Sequence, residues 1–241
     1  MEIIKLDTAD STNSWVIQNE AKLPSPSLVY CVNQTAGRGQ RGNSWESEPG
    51  KNVTASLIFH PENFPACKQF FILEAVALAL TDFLREEGVD AKVKWPNDIY
   101  VGDKKISGTL VEHYVSGKNI TRTVAGFGLN INQEKFYSDA PNPVSLTMLT
   151  GKVYDIDAVV KKISSFLEKN ISALGNPTSF HENFIKLLWR NNGEIYPFFD
   201  RKENRMIKAK IDSIAADGIL TLLTDEAEEK KYAFKEVEFI L

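Results

Sequence analysis

Apolar residues recur along the chain with two different periods, and the switches between them mark the elements. Residues 2–7 (EIIKLD) read as a short opening strand. A helix follows through residues 14–21, where the hydroxyl of Ser11 or Thr12 can cap the first turn. Residues 28–34 (LVYCVNQ) are rich in β-branched and aromatic side chains and predict a buried strand. Residues 52–60 (NVTASLIFH) alternate and predict another. Between these strands, residues 35–51 show no period and carry Gly37, Gly39, Gly42 and Gly50. An aperiodic stretch of that length marks a functional loop.

Residues 66–87 are apolar almost all round and predict a central helix ended by Gly88. Strand-like segments at 91–95, 99–101, 105–115 and 120–132 then alternate with turns at Pro96-Asn97-Asp98 and Gly102-Asp103. That is the pace of an antiparallel or mixed sheet. Residues 155–191 predict helix in two pieces, broken at Gly175-Asn176-Pro177. From Gly193 onward the pattern changes to short strands at 206–215, 218–224 and 230–241, which predict a small β-barrel-like domain.

Composition narrows the function classes. With 28 basic and 32 acidic residues the net charge is −4, a poor basis for wrapping a nucleic acid. The basic residues Arg38, Arg41, Lys94, Lys104 and Lys105 nevertheless fall in short segments rich in Gly, Trp, Pro and Asn, which suits a small anionic ligand. The two cysteines, Cys31 and Cys67, form no CxxC, which argues against zinc and a disulfide scaffold and fits a reducing cytoplasm. The start of the chain has no signal-peptide pattern, and the most apolar stretch, 70–80, is short and interrupted by Glu74.

The loop contains Gly37-Arg38-Gly39-Gln40-Arg41-Gly42, the G-x-G-x-x-G spacing of dinucleotide-binding folds. That reading requires a helix to follow, but Pro49, Gly50 and then a strand follow instead. No Gly-Lys-Ser/Thr follows either, which removes the phosphate-loop alternative. What remains is a flexible loop presenting Arg38 and Arg41, where bare backbone can approach an oxyanion and guanidinium groups can grip it at two points. Residues 94–108 (KWPNDIYVGDKKISG) place Asn97 and Asp98 in a turn and Lys105 at the start of a strand. Residues 126–132 (GFGLNIN) end a strand with Asn130 and Asn132, spaced to face one side.

Together, DSTNSW, QTAGRGQRGNSW, KWPNDIYVGDKKISGTLVE, GFGLNIN and NPVSLTMLTG resemble the motifs of the biotin–protein ligases, in order and over essentially the whole chain. The resemblance implies an α+β fold. Residues 1–192 would form a class II synthetase-like catalytic domain with a mixed or antiparallel sheet and helices, and 193–241 a small SH3-like β-barrel. It implies ATP-dependent activation of biotin to biotinyl-5′-AMP, then transfer to a lysine of a biotin carboxyl carrier domain. Arg38, Lys105 and Asp98 match the catalytic positions. Ser11, Thr12, Asn13, Gln34, Arg38, Gly39, Gln40 and Lys105 match the biotin positions, and Arg41, Trp45, Asn97, Asn130 and Asn132 the ATP and adenylate positions. Mg²⁺ is expected with the ATP phosphates, without an assigned set of protein ligands.

The chain departs from many relatives in carrying Gln40 and Asn43 where arginine or another basic residue is common, so a looser hold on the adenylate is expected. Because the chain opens at the strand before DSTN, no sequence-specific DNA binding is expected, nor any membrane association. A homodimer, the carboxylase that is modified and the role of the C-terminal domain are left open. The rival readings are a lipoate–protein ligase of the same fold and a non-catalytic binding protein that recruits partners through its β-domain.

Overall fold

The computed structural model describes residues 1–138, 142–176 and 178–240. Its larger sheet contains β1 (Glu2–Ala9), β2 (Ser27–Gln34), β3 (Val53–Phe59), β4 (Phe64–Pro65), β5 (Lys92–Lys94), β6 (Asp98–Val101), β7 (Lys104–Ser116) and β8 (Asn119–Leu129). The strand order is β1-β2-β3-β8-β7-β6-β5, with β4 paired to β8. Only β1 and β2 run parallel among the described residues; the other pairs are antiparallel. This mixed sheet agrees with the sequence reading.

Helices cover both faces. On one side, α1 (Thr12–Asn19) seats Val16 against Val29, Ile58 and Val124. On the other, α2 (Phe70–Glu86) packs with α4 (Ile156–Ser172) and α5 (Thr178–Lys186), while α3 (Leu146–Thr150) is a single short turn that the sequence pattern did not reveal. Double coverage leaves β3 no wet face despite its alternating sequence, and all seven of its residues are buried. Its polar Thr54 and Ser56 face buried polar partners instead of water.

Several local expectations change in detail. Ser11 occupies the position before α1, but its side chain makes no capping bond, and the Thr12 hydroxyl turns towards Gln34. The helix expected from residue 66 begins with a tighter turn at Ala66–Lys68, and α2 proper starts at Phe70. Gly88, at φ +82°, follows its end as expected. Asp98 is the first residue of β6 instead of lying in the turn before it. The break in the helical region holds at 173–176, while Pro177 lies outside the described residues.

A second, all-antiparallel sheet contains β9 (Tyr196–Asp200), β10 (Arg205–Ile214), β11 (Leu220–Thr224), β12 (Glu229–Tyr232) and β13 (Val237–Phe239), in the order β12-β11-β10-β9-β13. The single strand expected over 230–241 is two strands separated by a turn in which Glu236 accepts a hydrogen bond from the Ala233 N–H. β9 was not foreseen. Its apolar residues and those of β10 join the core of the larger sheet in one continuous cluster. At the junction the Trp95 indole N–H donates to the Gly218 carbonyl at 3.0 Å and its ring meets Phe234 edge-on. Gly218 has φ +92°, and a Cβ there would come within 2.7 Å of the Phe70 ring.

Candidate functional site

A cavity of about 1190 Å³ opens over one end of the larger sheet and is roofed by the 35–51 loop and the edge of the second sheet. Glycines in β7 and β8 make room for it. A Cβ on Gly126 would stand 2.0 Å from Asn13 Oδ1, and one on Gly128 2.1 Å from the Trp45 indole. At Gly108, Asp98 Oδ1, the Trp45 ring and Lys105 Cε all lie 3.2–3.3 Å from where a Cβ would be. Bare strand backbone is what lets these side chains lie on the sheet.

One end of the cavity is a closed polar cluster. Gln34 Oε1 accepts from the Thr12 N–H at 2.9 Å and from its hydroxyl at 3.3 Å. The Ser56 hydroxyl lies 2.7 Å from Thr12 Oγ1 and 2.5 Å from Asn13 Oδ1. Asn13 Nδ2 donates to Glu112 Oε2 at 2.8 Å, and the other Glu112 oxygen accepts from Arg38 Nη2 at 2.6 Å. A second Arg38 nitrogen donates to Ser14. Ser11 lines this end and is buried.

In the middle, Lys105 Nζ and Asp98 Oδ1 form an ion pair at 2.7 Å, both partly buried. The ammonium also sits 5.7 Å from the Trp45 ring centroid, within reach of a cation–π attraction. Asn97 is held to β7, its Nδ2 donating to the Thr109 carbonyl at 2.6 Å while its own carbonyl accepts from the Thr109 N–H.

The far end differs. Trp45 Nε1 and Asn130 Oδ1 are both buried without a hydrogen-bond partner, although Asn130 Nδ2 donates to the Val144 carbonyl. Buried polar groups without partners are rare in folded proteins, and two in one cavity mark places where a ligand can bind.

Thus Ser11, Thr12, Asn13, Gln34, Arg38, Gly39, Gln40, Trp45, Asn97, Asp98, Lys105 and Asn130 line one cavity. Asn132 does not. β8 ends at Leu129, so the alternation that would put Asn130 and Asn132 on one side stops there. The Asn132 side chain is engaged with Tyr154 and Thr147 beside a separate, smaller depression. The Arg41 side chain lies outside the described residues.

Sequence reasoning missed Glu112, which joins Arg38 to Asn13. Its signal was the acidic end of TLVE, two places beyond Leu110 on the same strand face. It also missed Ser56, a polar residue inside an apolar strand. Lys94 stood out in the sequence only as one of the basic residues in short segments rich in Gly, Trp, Pro and Asn; its ammonium donates to the Tyr100 hydroxyl and lies 5.8 Å from the Trp189 and Phe239 ring centroids. Burial in this aromatic surround lowers its pKa, while Asp98 opposes the shift. Phe239 comes from β13, so the second sheet contributes directly to the cavity wall, with Arg201 and Lys235 nearby on the rim.

Residues 6–130 match the profile described as the biotin/lipoate A/B protein ligase family. The chain is 30% identical over 236 residues to a Bacillus subtilis protein named bifunctional ligase/repressor BirA, covering 95% of this chain and 70% of that one. It is 31% identical over 159 residues to the biotin–[acetyl-CoA-carboxylase] ligase of Paracoccus denitrificans, covering 62% of this chain and 65% of the relative. The Aquifex aeolicus biotin protein ligase solved in complex with biotin and ATP superposes with a TM-score of 0.76 at 24% identity, over 99% of this chain and 98% of the other. At that identity the likeness establishes a shared fold. On the profile match and the similarity to the Bacillus protein, this chain belongs to the biotin/lipoate A/B protein ligase family.

Proposed function

We propose that this chain is a biotin–protein ligase that joins biotin to ATP as biotinyl-5′-AMP and then passes the biotinyl group to a lysine of a biotin carboxyl carrier domain. The observation that carries the reading is the order of chemistry along one cavity. A compact donor and acceptor cluster joined to the Arg38 guanidinium lies at one end, the Lys105 ammonium lies further in, and an unpartnered N–H and carbonyl lie beyond it.

A cyclic urea offers one carbonyl and two N–H groups, which the side chains of Thr12, Asn13, Ser56 and Gln34 can match by exchanging their present partners. In the first step a carboxylate oxygen attacks the α-phosphorus and pyrophosphate leaves. Arg38 and Lys105 turn from Glu112 and Asp98 onto the carboxylate and phosphate oxygens, stabilising the negative charge of the transition state. In the second step the incoming amine attacks the carbonyl carbon, AMP leaves, and Asp98, freed of Lys105, accepts the amine proton. Trp45 and Asn130 offer a donor and an acceptor to the adenine half. Asn97, fixed to the strand, braces the Asp98 segment. Asp98 is a single carboxylate already holding an ammonium, and among the described residues no three acidic, His or Cys side chains group as a metal cage. That donor set fits Mg²⁺ completed by triphosphate oxygens, which would neutralise phosphate charge.

Residues 1–192 would then form the catalytic part, with the sheet from 193 on closing one wall. The cytoplasm is the compartment we assign, in keeping with the two free thiols of Cys31 and Cys67. Incubation with biotin, ATP, Mg²⁺ and a carrier domain should add one biotinyl group by intact mass. ATP–pyrophosphate exchange that responds to lipoate and not to biotin would overturn the assignment in favour of the sister activity.

A further inference from the structure

Immediately after Trp45, the Glu46 carboxylate gathers an unusual set of donors. Its Oε1 accepts from the Tyr137 N–H at 3.0 Å and from Gln133 Nε2 at 3.1 Å, and its Oε2 accepts from the Ser138 N–H at 2.7 Å. Burial would raise its pKa, but the bonds from Ser138, Tyr137 and Gln133 outweigh that and hold it below the usual range. Gln133 extends the connection. Its Oε1 accepts from the Glu48 N–H at 2.9 Å and from buried Asn52 Nδ2 at 2.6 Å. The loop and the 133–138 segment are therefore stitched together by one carboxylate and one amide. Phe136 and Ser138 line the main cavity from that segment, and the Trp45 indole lies on Gly128 from the loop.

We infer that Glu46 is a positioning residue that clamps the 133–138 segment to the loop, holds the Trp45 indole on Gly128, and so sets the affinity for the nucleotide half of the ligand while leaving the biotin half alone. The inference rests on the proposed reaction for its kinetic consequence but not for the clamp itself. The biotin-side cluster is anchored separately, through Gln34, Ser56 and Glu112, with no bond to Glu46 among the described residues. Hydrogen bonds to a charged acceptor are strong enough that removing the carboxylate should raise the KM for ATP roughly tenfold.

Two measurements on the full chain test this. The first is ligand-free hydrogen exchange, in which the Tyr137 and Ser138 amides should be protected in the wild type and exchange faster in Glu46→Ala. Equal exchange in the two proteins overturns the clamp, whether or not the chain handles biotin. The second is steady-state kinetics in pyrophosphate exchange. Glu46→Ala should raise the KM for ATP with the KM for biotin and kcat changed less than about twofold, and Glu46→Gln, which keeps an acceptor oxygen without the charge, should fall between. A parallel rise in both KM values, or a kcat loss alone, overturns the positioning role. A wild type inactive with biotin would sink the proposed function, leaving the exchange experiment to decide the clamp.

Discussion

The two ends of the cavity treat their polar atoms in opposite ways. The Thr12–Asn13–Ser56 cluster is closed on itself and reaches Arg38 through Glu112. The Trp45–Asn130 end leaves an indole N–H and an amide carbonyl buried with no partner. A ligand entering the closed end must exchange bond for bond, so discrimination there comes from shape and from the right count of donors and acceptors. At the open end the desolvation cost is already carried by the fold, so each bond made is a net gain.

Two other buried atoms without partners sharpen the distinction, because they face packed protein instead of the cavity. Arg122 Nε belongs to a guanidinium that lies over the Tyr114 ring and pairs with Glu20. Glu74 Oε2 belongs to a fully buried carboxyl whose other oxygen is 2.7 Å from His181 Nδ1. Burial pushes the Glu74 pKa up to about 8, so near neutrality the group keeps its proton and remains uncharged. In the packed protein the Glu74 carboxyl is neutral and the Arg122 charge is balanced by Glu20, whereas Trp45 Nε1 and Asn130 Oδ1 belong to residues that line the cavity.

The largest effect should come where the two ends meet. Lys105→Ala is expected to slow biotin-dependent pyrophosphate exchange roughly 10²- to 10³-fold, with circular dichroism unchanged. Full activity would remove Lys105 from the reaction. The contrast itself is broken by a pair of glycine variants. Gly126→Ala should drive Asn13 away and raise the KM for biotin roughly ten- to hundredfold, and Gly128→Ala should do the same for ATP by displacing Trp45. If both variants affect both substrates equally, the ends are not independent. A smaller change is expected for Gln40→Arg, which restores a cation to the loop: release of the adenylate, followed by filter binding, should slow about fivefold. An unchanged rate would mean that Gln40 is no weak point.

The smallest catalytic effect, none, is expected for Glu74→Gln, yet its stability should show a pH signature. Below about pH 4.5 both folded and unfolded wild type carry the Glu74 proton. As pH rises towards about 8 the unfolded chain loses it first, so folding stability falls over that window by no more than about 1.4 kcal/mol per pH unit. Denaturant melts from pH 5 to pH 8 should therefore show the variant gaining on the wild type, and parallel curves would mean Glu74 is ionised in the fold.

Much of this contrast could be read from local sequence, because local rules govern it. The strand before the loop, the aperiodic glycine stretch, and the wrong context of G-x-G-x-x-G were all legible. So was the gathering of DSTN, GRG and KWPND into a resemblance that anticipated which side chains share a cavity. Partners that depend on how distant strands align were not legible. Glu112 meets Arg38 across 74 positions, and Ser56 meets Asn13 across 43. Asn132 lies apart because alternation was extended three residues past the end of β8, beyond the strand geometry that sustains it. The aromatic surround of Lys94 depends on Phe239, and no period within residues 230–241 says which sheet that ring will face.

The Trp95–Gly218 contact carries a consequence for anyone building chimaeras. The tryptophan that begins WPND is fastened by its indole to a hairpin of the second sheet, three residues before Asp98. Grafting that sheet from a relative would therefore transmit any misfit in the hairpin straight to the Asp98 carboxylate. The two sheets are best exchanged as a matched set, with Trp95, Phe70 and Gly218 travelling together.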